Sequence, residues 1–177
     1  MSAKAMPSRA ECLRMLKDSG TLENIIAHSM AVTDVAMELG KALKARGESV
    51  DLRLLEAGAL LHDIGKTKGL RGGHDSEISH GDIGAEMLES MGYHKLAEIA
   101  RSHMFSKIFE PAALDTWEKK LVYYADKRVN HDKRVRLSER LDYLINRYPH
   151  GAEMFRKAKP LLEGMEKEIF RKAGMKI

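Results

Sequence analysis

Apolar positions recur at steps of three and four residues through most of this chain, the spacing that lines one face of an α-helix. The clearest run is Ile25, Val32, Val35, Ala36, Leu39 and Leu43, which predicts a helix from just after Thr21 to about Arg46, closed by Gly47. Ahead of it, Ser8 and Glu11 have the spacing of a capping box and open a shorter helix to about Asp18, ended by Gly20. Asp51 can cap a third helix, LRLLEAGALLHD, which is apolar enough to lie in the core and is stopped by Gly65. Residues 66–79, KTKGLRGGHDSEIS, lose the period and carry three glycines, so a loop is expected there. Helical spacing resumes over about Gly81–Met91, ended by Gly92, and over about His94–His103. Pro111 breaks the chain before a helix expected from about Asp115 to Val129, and Ser138 caps another that ends near Tyr148. A last amphipathic stretch runs from Gly151 to Ala173, with Pro160 kinking or restarting it. No strand pair, internal repeat or low-complexity segment stands out.

The expectation is therefore an all-α, compact single-domain helical fold. Its parts would be an N-terminal helical extension over 1–20, a main domain over 21–150 and a C-terminal helix over 151–177 packed on it or extending from it. Composition agrees: 177 residues suffice for one well-packed core, and 44% hydrophobic with only 6% aromatic residues favours helix over sheet. The single cysteine, Cys12, excludes an intramolecular disulfide, fits a reducing compartment and reads as a small helix-packing residue. No apolar run approaches the ~20 residues needed to cross a bilayer, and the N-terminus has no signal-length apolar core. A cytoplasmic protein with no membrane association is expected. The net charge of +4 is modest; KRVNHDKRVR (127–136) is basic but lacks the interleaved aromatics of a single-strand binder, so no specific nucleic-acid partner is indicated. That stretch reads as a solvated loop or as a rim that draws in an anionic substrate.

Chemistry concentrates at HDIGK, residues 62–66, where a His and an Asp stand side by side at the end of an apolar run. Imidazole with carboxylate suits a divalent first-row metal, and no cysteine lies nearby to suggest a structural zinc knot. A carboxylate at Asp63, after GALLH, would be costly to bury without a cation or a hydrogen-bonded partner. His28, in IIAHSMAV, is either a satisfied core histidine or a ligand, and Asp126, in KLVYYADKRV, is either a ligand or the partner of Lys127 or Arg128. His74 sits in the glycine-rich stretch, and His94, His131 and His150 read as surface residues.

The order His28, His62–Asp63, His80, His103, Asp126, with the Gly65 and Lys66 that follow the dipeptide, resembles the HD superfamily of metal-dependent phosphohydrolases, in particular its HDIG-bearing members. The resemblance spans about residues 22–148. It implies that His28, His62, Asp63 and Asp126 hold one ion, that His80 and His103 bind a second, and that Asp63 bridges the pair. Where dinuclear relatives often carry two adjacent histidines, this chain has Met104 after His103, which leaves the second ion fewer protein ligands. It further implies that Asp63 and Lys66 serve catalysis, with Lys66 contacting substrate phosphate; the plainer reading of Lys66 is an exposed helix-end lysine. Arg71 is a weaker candidate for substrate binding. Two divalent ions are expected, with iron or manganese favoured and zinc, cobalt or nickel acceptable to such ligands. Four neutral imidazoles and two carboxylates would leave a pair of divalent ions with charge to spare for a hydroxide and a phosphoryl oxygen.

The expected function is hydrolysis of a phosphate ester or anhydride, with a small phosphorylated molecule, a nucleotide above all, as substrate. HGDIGA (80–85) also looks like a segment of HD hydrolases that split dinucleoside polyphosphates. The alternatives are a di-iron HD-type oxygenase and a catalytically silent metal-binding signalling domain.

Overall fold

The computed structural model describes residues 4–71 and 77–177. They are helical throughout apart from one small ribbon. The helices are α1 (Arg9–Asp18), α2 (Glu23–Ala45), α3 (Leu52–Leu61), α4 (Lys66–Arg71), α5 (Glu77–Ser90), α6 (His94–Ser102), α7 (Trp117–Asp126), α8 (Leu137–Arg147) and α9 (Ala152–Ala173). Short 3-10 turns cover Phe105–Phe109, Pro111–Leu114 and Pro149–Gly151. Strands β1 (Val129–Asn130) and β2 (Lys133–Arg134) pair antiparallel, Val129 opposite Arg134.

Local chemistry accounts for the helix starts. At α1 the Ser8 hydroxyl accepts from the Glu11 N–H while the Glu11 carboxylate accepts from the Ser8 N–H, the reciprocal capping box expected from the spacing. Asp51 accepts from the N–H groups of Arg53 and Leu54 at the head of α3. Helix α2 has no side-chain cap of its own at Leu22; the Leu22 N–H instead donates to the hydroxyl of buried Thr67 on α4.

Three apolar clusters hold the helices together. The first joins α2, α3, α7 and α9 through Val32, Leu39, Leu43, Leu55, Leu121 and Phe170. The second packs α1 and α3 on α5 and α6, with Cys12 and Leu16 against Leu60, Leu61, Leu88 and Leu96. The third gathers α8 and α9 around Phe105, Tyr123, Leu141 and Phe155. Each fully buried Leu or Phe contributes about 1.5–3 kcal/mol of transfer free energy. Cys12 is a packing residue, and burial pushes its thiol up to about 12. Among the described residues no helix is long and apolar enough to cross a membrane.

Four expectations need correction. The stretch from Lys66 to Arg71 is helix α4 rather than loop; Gly69 does not break it, and there α4 lies against His80 and Ile83 of α5. Helix α5 begins at Glu77, so His80 lies within the helix instead of heading it; residues 72–76, His74 among them, lie outside the described residues. Helix α7 stops at Asp126, where the β1–β2 ribbon takes over, with His131 at the turn in the left-handed region at φ 56°. At α8 the Glu139 carboxylate, and not Ser138, satisfies the first donor by accepting from the Arg136 N–H.

Candidate metal centre

The predicted ligands come from five separate helices, most of them at helix ends. His28 projects from α2, His62 and Asp63 follow the last residue of α3, His80 lies in α5, His103 follows α6, and Asp126 is the last residue of α7. The fold brings all six side chains to one place. His28 Nε2 is 2.9 Å from Asp126 Oδ1, and His62 Nε2 is 3.7 Å from the same oxygen. His80 Nε2 and His103 Nε2 are 3.0 Å apart.

Asp63 sits between these groups, 1% exposed, and its two oxygens face different ways. Oδ2 lies 3.5 Å from His62 Nε2 and 3.9 Å from His28 Nε2. Oδ1 lies 3.2 Å from His80 Nε2 and 3.4 Å from His103 Nε2. The potential ligand atoms of His28, His62 and Asp126, and again those of His62, Asp63 and His103, converge within 4.8 Å of one another.

Three of the histidines are oriented by backbone. His28 Nδ1–H donates to the carbonyl of His131 at 2.6 Å, His62 Nδ1–H to that of Ala59 at 2.7 Å, and His103 Nδ1–H to that of Ala100 at 2.6 Å. A carbonyl only accepts, so the proton is fixed on Nδ1 and the Nε2 lone pair points into the cluster, the arrangement of a metal-ligating imidazole. Two atoms inside the cluster, His62 Nε2 and Asp63 Oδ1, are buried with no hydrogen bond; the neighbours of Asp63 Oδ1 are close but not aligned for one. Buried polar atoms without partners are costly, and both are donors of electron pairs that a cation would satisfy. The residues present therefore fit a divalent metal.

The electrostatics favour the ligating ionisation state for Asp63, Asp126 and His103, and oppose it for His62. Burial works against the charge of Asp63, yet Lys66 and His62, with His103 and His80, hold its carboxyl well below the usual carboxylate range. Asp126 is likewise held low against burial, by Lys127 and then His28 and His62. Burial together with the nearby His62 and His80 pushes His103 down to about 4, partly offset by Asp63, so it is neutral at physiological pH. His62 moves the other way: burial opposes its charge, but Asp63 and Asp126 raise it.

Lys66 heads α4, is half-buried, and donates to Asp63 Oδ2 at 3.0 Å. It is thus at the cluster and not a solvated helix-end lysine. Arg71 ends α4, and its side chain lies outside the described residues. His94, His131 and His150 are exposed.

The sequence offers Lys127 as a partner of Asp126 and, within 127–136, as part of a solvated loop or a rim; the structure buries it together with Arg128 and Val129, so the solvated reading fails for these three. Lys127 is 4% exposed, donates to Asp126 Oδ2 at 2.6 Å and to the His103 carbonyl at 2.9 Å, and lies 4.5 Å from the centre of the Tyr123 ring. It ties the two helix ends that carry Asp126 and His103, and leaves Asp126 Oδ1 facing the histidines. Its place directly after Asp126 was the available signal. The His131 carbonyl, delivered to His28 by the β1–β2 turn, had none.

Comparison with known proteins points to one family. The family model described as HD domain matches residues 25–131. An uncharacterised protein of Methanocaldococcus jannaschii is 36% identical over 129 residues, 66% of this chain and 73% of that protein. A tRNA (cytidine(56)-2'-O)-methyltransferase of Picrophilus torridus is 31% identical over 163 residues, which cover 85% of this chain and 45% of the methyltransferase. A ribonuclease Y of Fervidobacterium nodosum is 44% identical over 70 residues, 40% of this chain and 12% of that protein. The chain thus spans less than half the length of the methyltransferase and ribonuclease relatives. No solved structure gives a significant match.

Proposed function

The chain belongs to the HD-domain family, and from that premise we propose that it is a metal-dependent phosphohydrolase acting on a nucleotide or a related phosphate ester or anhydride. The observation that carries this reading is Asp63: a buried, ionised carboxylate with one oxygen turned to His28 and His62 and the other to His80 and His103. Such a carboxylate is built to sit between two cations. In this reading His28, His62, Asp63 and Asp126 would hold one ion, and His80 and His103, with Asp63 beside them, would hold a second. Iron or manganese suits the set best, and zinc, cobalt or nickel is chemically acceptable.

A divalent ion bound there supplies a Lewis acid for a phosphoryl oxygen and brings the acidity of a bound water toward neutral pH. The remaining work falls to the chain. The carbonyls of His131, Ala59 and Ala100 keep three imidazoles in one tautomer and one orientation. Lys127 holds Asp126 from behind and sustains its charge. Lys66 has a flexible stem and can turn its ammonium from Asp63 Oδ2 to a phosphoryl oxygen, gaining strength as charge shifts onto that oxygen. Phe105 and Leu144, both buried, wall the approach and keep bulk water from the reacting group. Residues 21–150 would carry this catalytic unit, with Arg71 a further contact for substrate.

A phosphate-release screen of metal-reconstituted protein tests the function. The panel holds nucleotides, dinucleoside polyphosphates and simple phosphate esters. It also holds RNA with terminal phosphates, since two relatives are named for activities on RNA. Metal-dependent phosphate release from at least one class is expected. Release from none, with consumption of dioxygen by the iron-loaded protein, would move the chain to the oxygenase alternative.

A further inference from the structure

The cavity at the metal centre has one wall that the HD ligand pattern does not include. Arg140, on α8, lines the same cavity as Asp63, Lys66, His80, His103 and Asp126, although it is distant from all of them in sequence. Its guanidinium is held in place from two sides. The Nη1–H donates to Asn130 Oδ1 at 2.9 Å, and the group lies 5.3 Å from the centre of the Tyr143 ring. Asn130 is in β1, so the ribbon that aims His28 through the His131 carbonyl also fixes Arg140.

Among the five N–H donors of this group, one is both buried and without an acceptor. Arg140 Nε is buried and has no hydrogen-bond partner. A guanidinium cannot shed its charge near neutral pH, so a buried N–H without an acceptor is a standing cost unless something in the cavity accepts from it. Charge points to the class of acceptor. Among the described residues lining the cavity, three cations, Lys66, Lys127 and Arg140, face two carboxylates, Asp63 and Asp126, an excess of one positive charge before any metal is counted. Lys66 and Lys127 each already donate to one of those carboxylates, whereas Arg140 is tied to a neutral amide. The cavity is about 20 Å³, room for one water-sized group such as a single phosphoryl oxygen.

We propose that Arg140 is an anion-binding residue of the centre, which donates its Nε–H to a non-bridging oxygen of a phosphoryl group while Asn130 and Tyr143 keep the guanidinium in position. The identity of the anion rests on the phosphohydrolase reading; the anion site itself rests on the geometry of Arg140. Arg140 would act with Lys66 as a two-sided clamp, and its planar, pre-set group would fix the orientation of the phosphoryl oxygens where the mobile lysine cannot.

Binding of inorganic phosphate to the manganese-loaded protein, measured by titration calorimetry without any turnover, tests this directly. Wild-type protein is expected to bind phosphate, and Arg140→Gln to bind it at least about tenfold more weakly with unchanged metal content. Arg140→Lys should recover only part of the affinity. Asn130→Ala, which leaves the guanidinium present but loosened, should weaken binding by less than Arg140→Gln. Circular dichroism and metal analysis establish that each variant is folded and loaded, and Asn130→Ala gives a second reading should Arg140→Gln fail to fold. Phosphate binding by a loaded Arg140→Gln variant equal to wild type would overturn the proposal while leaving the hydrolase reading intact. A wild-type protein that binds no phosphate would overturn it as well. Loss of phosphate binding in Arg140→Gln, in a protein that releases phosphate from no substrate, would uphold the anion site and remove the hydrolase reading.

Discussion

Gly65 offers the sharpest mutational test of how the fold positions this centre. A Cβ placed on it would lie 2.3 Å from the Gly84 nitrogen, 2.4 Å from the His80 carbonyl oxygen and 2.8 Å from Gly84 Cα, all backbone atoms of α5. Ordinary contact begins near 3.4 Å, so α5 would have to retreat by about 1 Å, and no flexible side chain can absorb the overlap. Overpacking of this kind costs about 1–3 kcal/mol, and a backbone-to-backbone clash belongs at the upper end. For Gly65→Ala that means a fall of about 1–2 M in the urea midpoint of the metal-free protein, or about 6–12 °C in Tm. The retreat also carries His80 away from Asp63 Oδ1, now 3.2 Å distant, and a misplacement of about 1 Å in a catalytic constellation can cost a hundredfold in rate. Gly84→Ala is the internal control. Its Cβ would meet Gly65 N at 3.2 Å and Ile64 Cγ2 at 3.3 Å, a far milder crowding that should cost about 1 kcal/mol. Urea melts of both variants, with metal content measured on the same samples, decide the matter. A Gly65→Ala protein as stable as wild type, or less perturbed than Gly84→Ala, would refute the reasoning that this glycine is required by the close approach of α5.

Lys66→Ala should lower turnover on the best phosphate substrate by about one to three orders of magnitude, because the ammonium that follows developing charge is gone. It should also raise the Asp63 carboxyl toward its ordinary range, visible as acid destabilisation of the metal-free protein at higher pH than in wild type, while metal content at neutral pH is retained. In the metal-free protein the two buried histidines act in separate pH windows. His103 is depressed to about 4, so its contribution is present above its unfolded value of about 6.5 and is lost as pH falls toward 4, up to about 3 kcal/mol. His62 is raised, so its contribution is full below about 6.5 and is lost as pH rises through its folded value. Urea midpoints should therefore fall on the acid side of about pH 6.5, steepen below about pH 4 as the unfolded chain takes up protons that folded Asp63 and Asp126 do not, and lose the pH 4–6.5 slope in His103→Gln. His62 is raised, so it carries its proton at pH 6 in the metal-free protein, and manganese loading at pH 6 should release protons, read by calorimetry in buffers of different ionisation heat.

Much of this was legible in the sequence because it rests on local rules. The apolar period placed α1, α2, α3 and α6 within a few residues, and the Ser8–Glu11 pair announced its own capping box. The candidate ligands were legible through the order His28, His62–Asp63, His80, His103, Asp126, which resembles the HD pattern; the residues by themselves left His28 and Asp126 open between a structural and a ligating role. What escaped was set by distant partners. Nothing local to Lys66–Arg71 says that α5 will lie alongside it, or that Thr67 will cap α2 from 45 residues away. The β1–β2 ribbon is too short for a two-residue alternation to reveal, and Arg140 belongs to the centre only because that ribbon and α8 turn it inward. Gly65 was read as a helix stop, whereas its position is dictated by the backbone of α5.

The metal content of Asp63→Asn after dialysis against manganese and removal of free ion tests the metal centre most directly. Asparagine keeps the shape of the side chain and removes the charge that joins the two histidine groups. Wild-type protein should retain manganese, up to two ions per chain, and Asp63→Asn should retain little or none while keeping its helical circular dichroism. An Asp63→Asn protein that holds as much manganese as wild type would contradict the claim that this cluster is a metal centre built around Asp63.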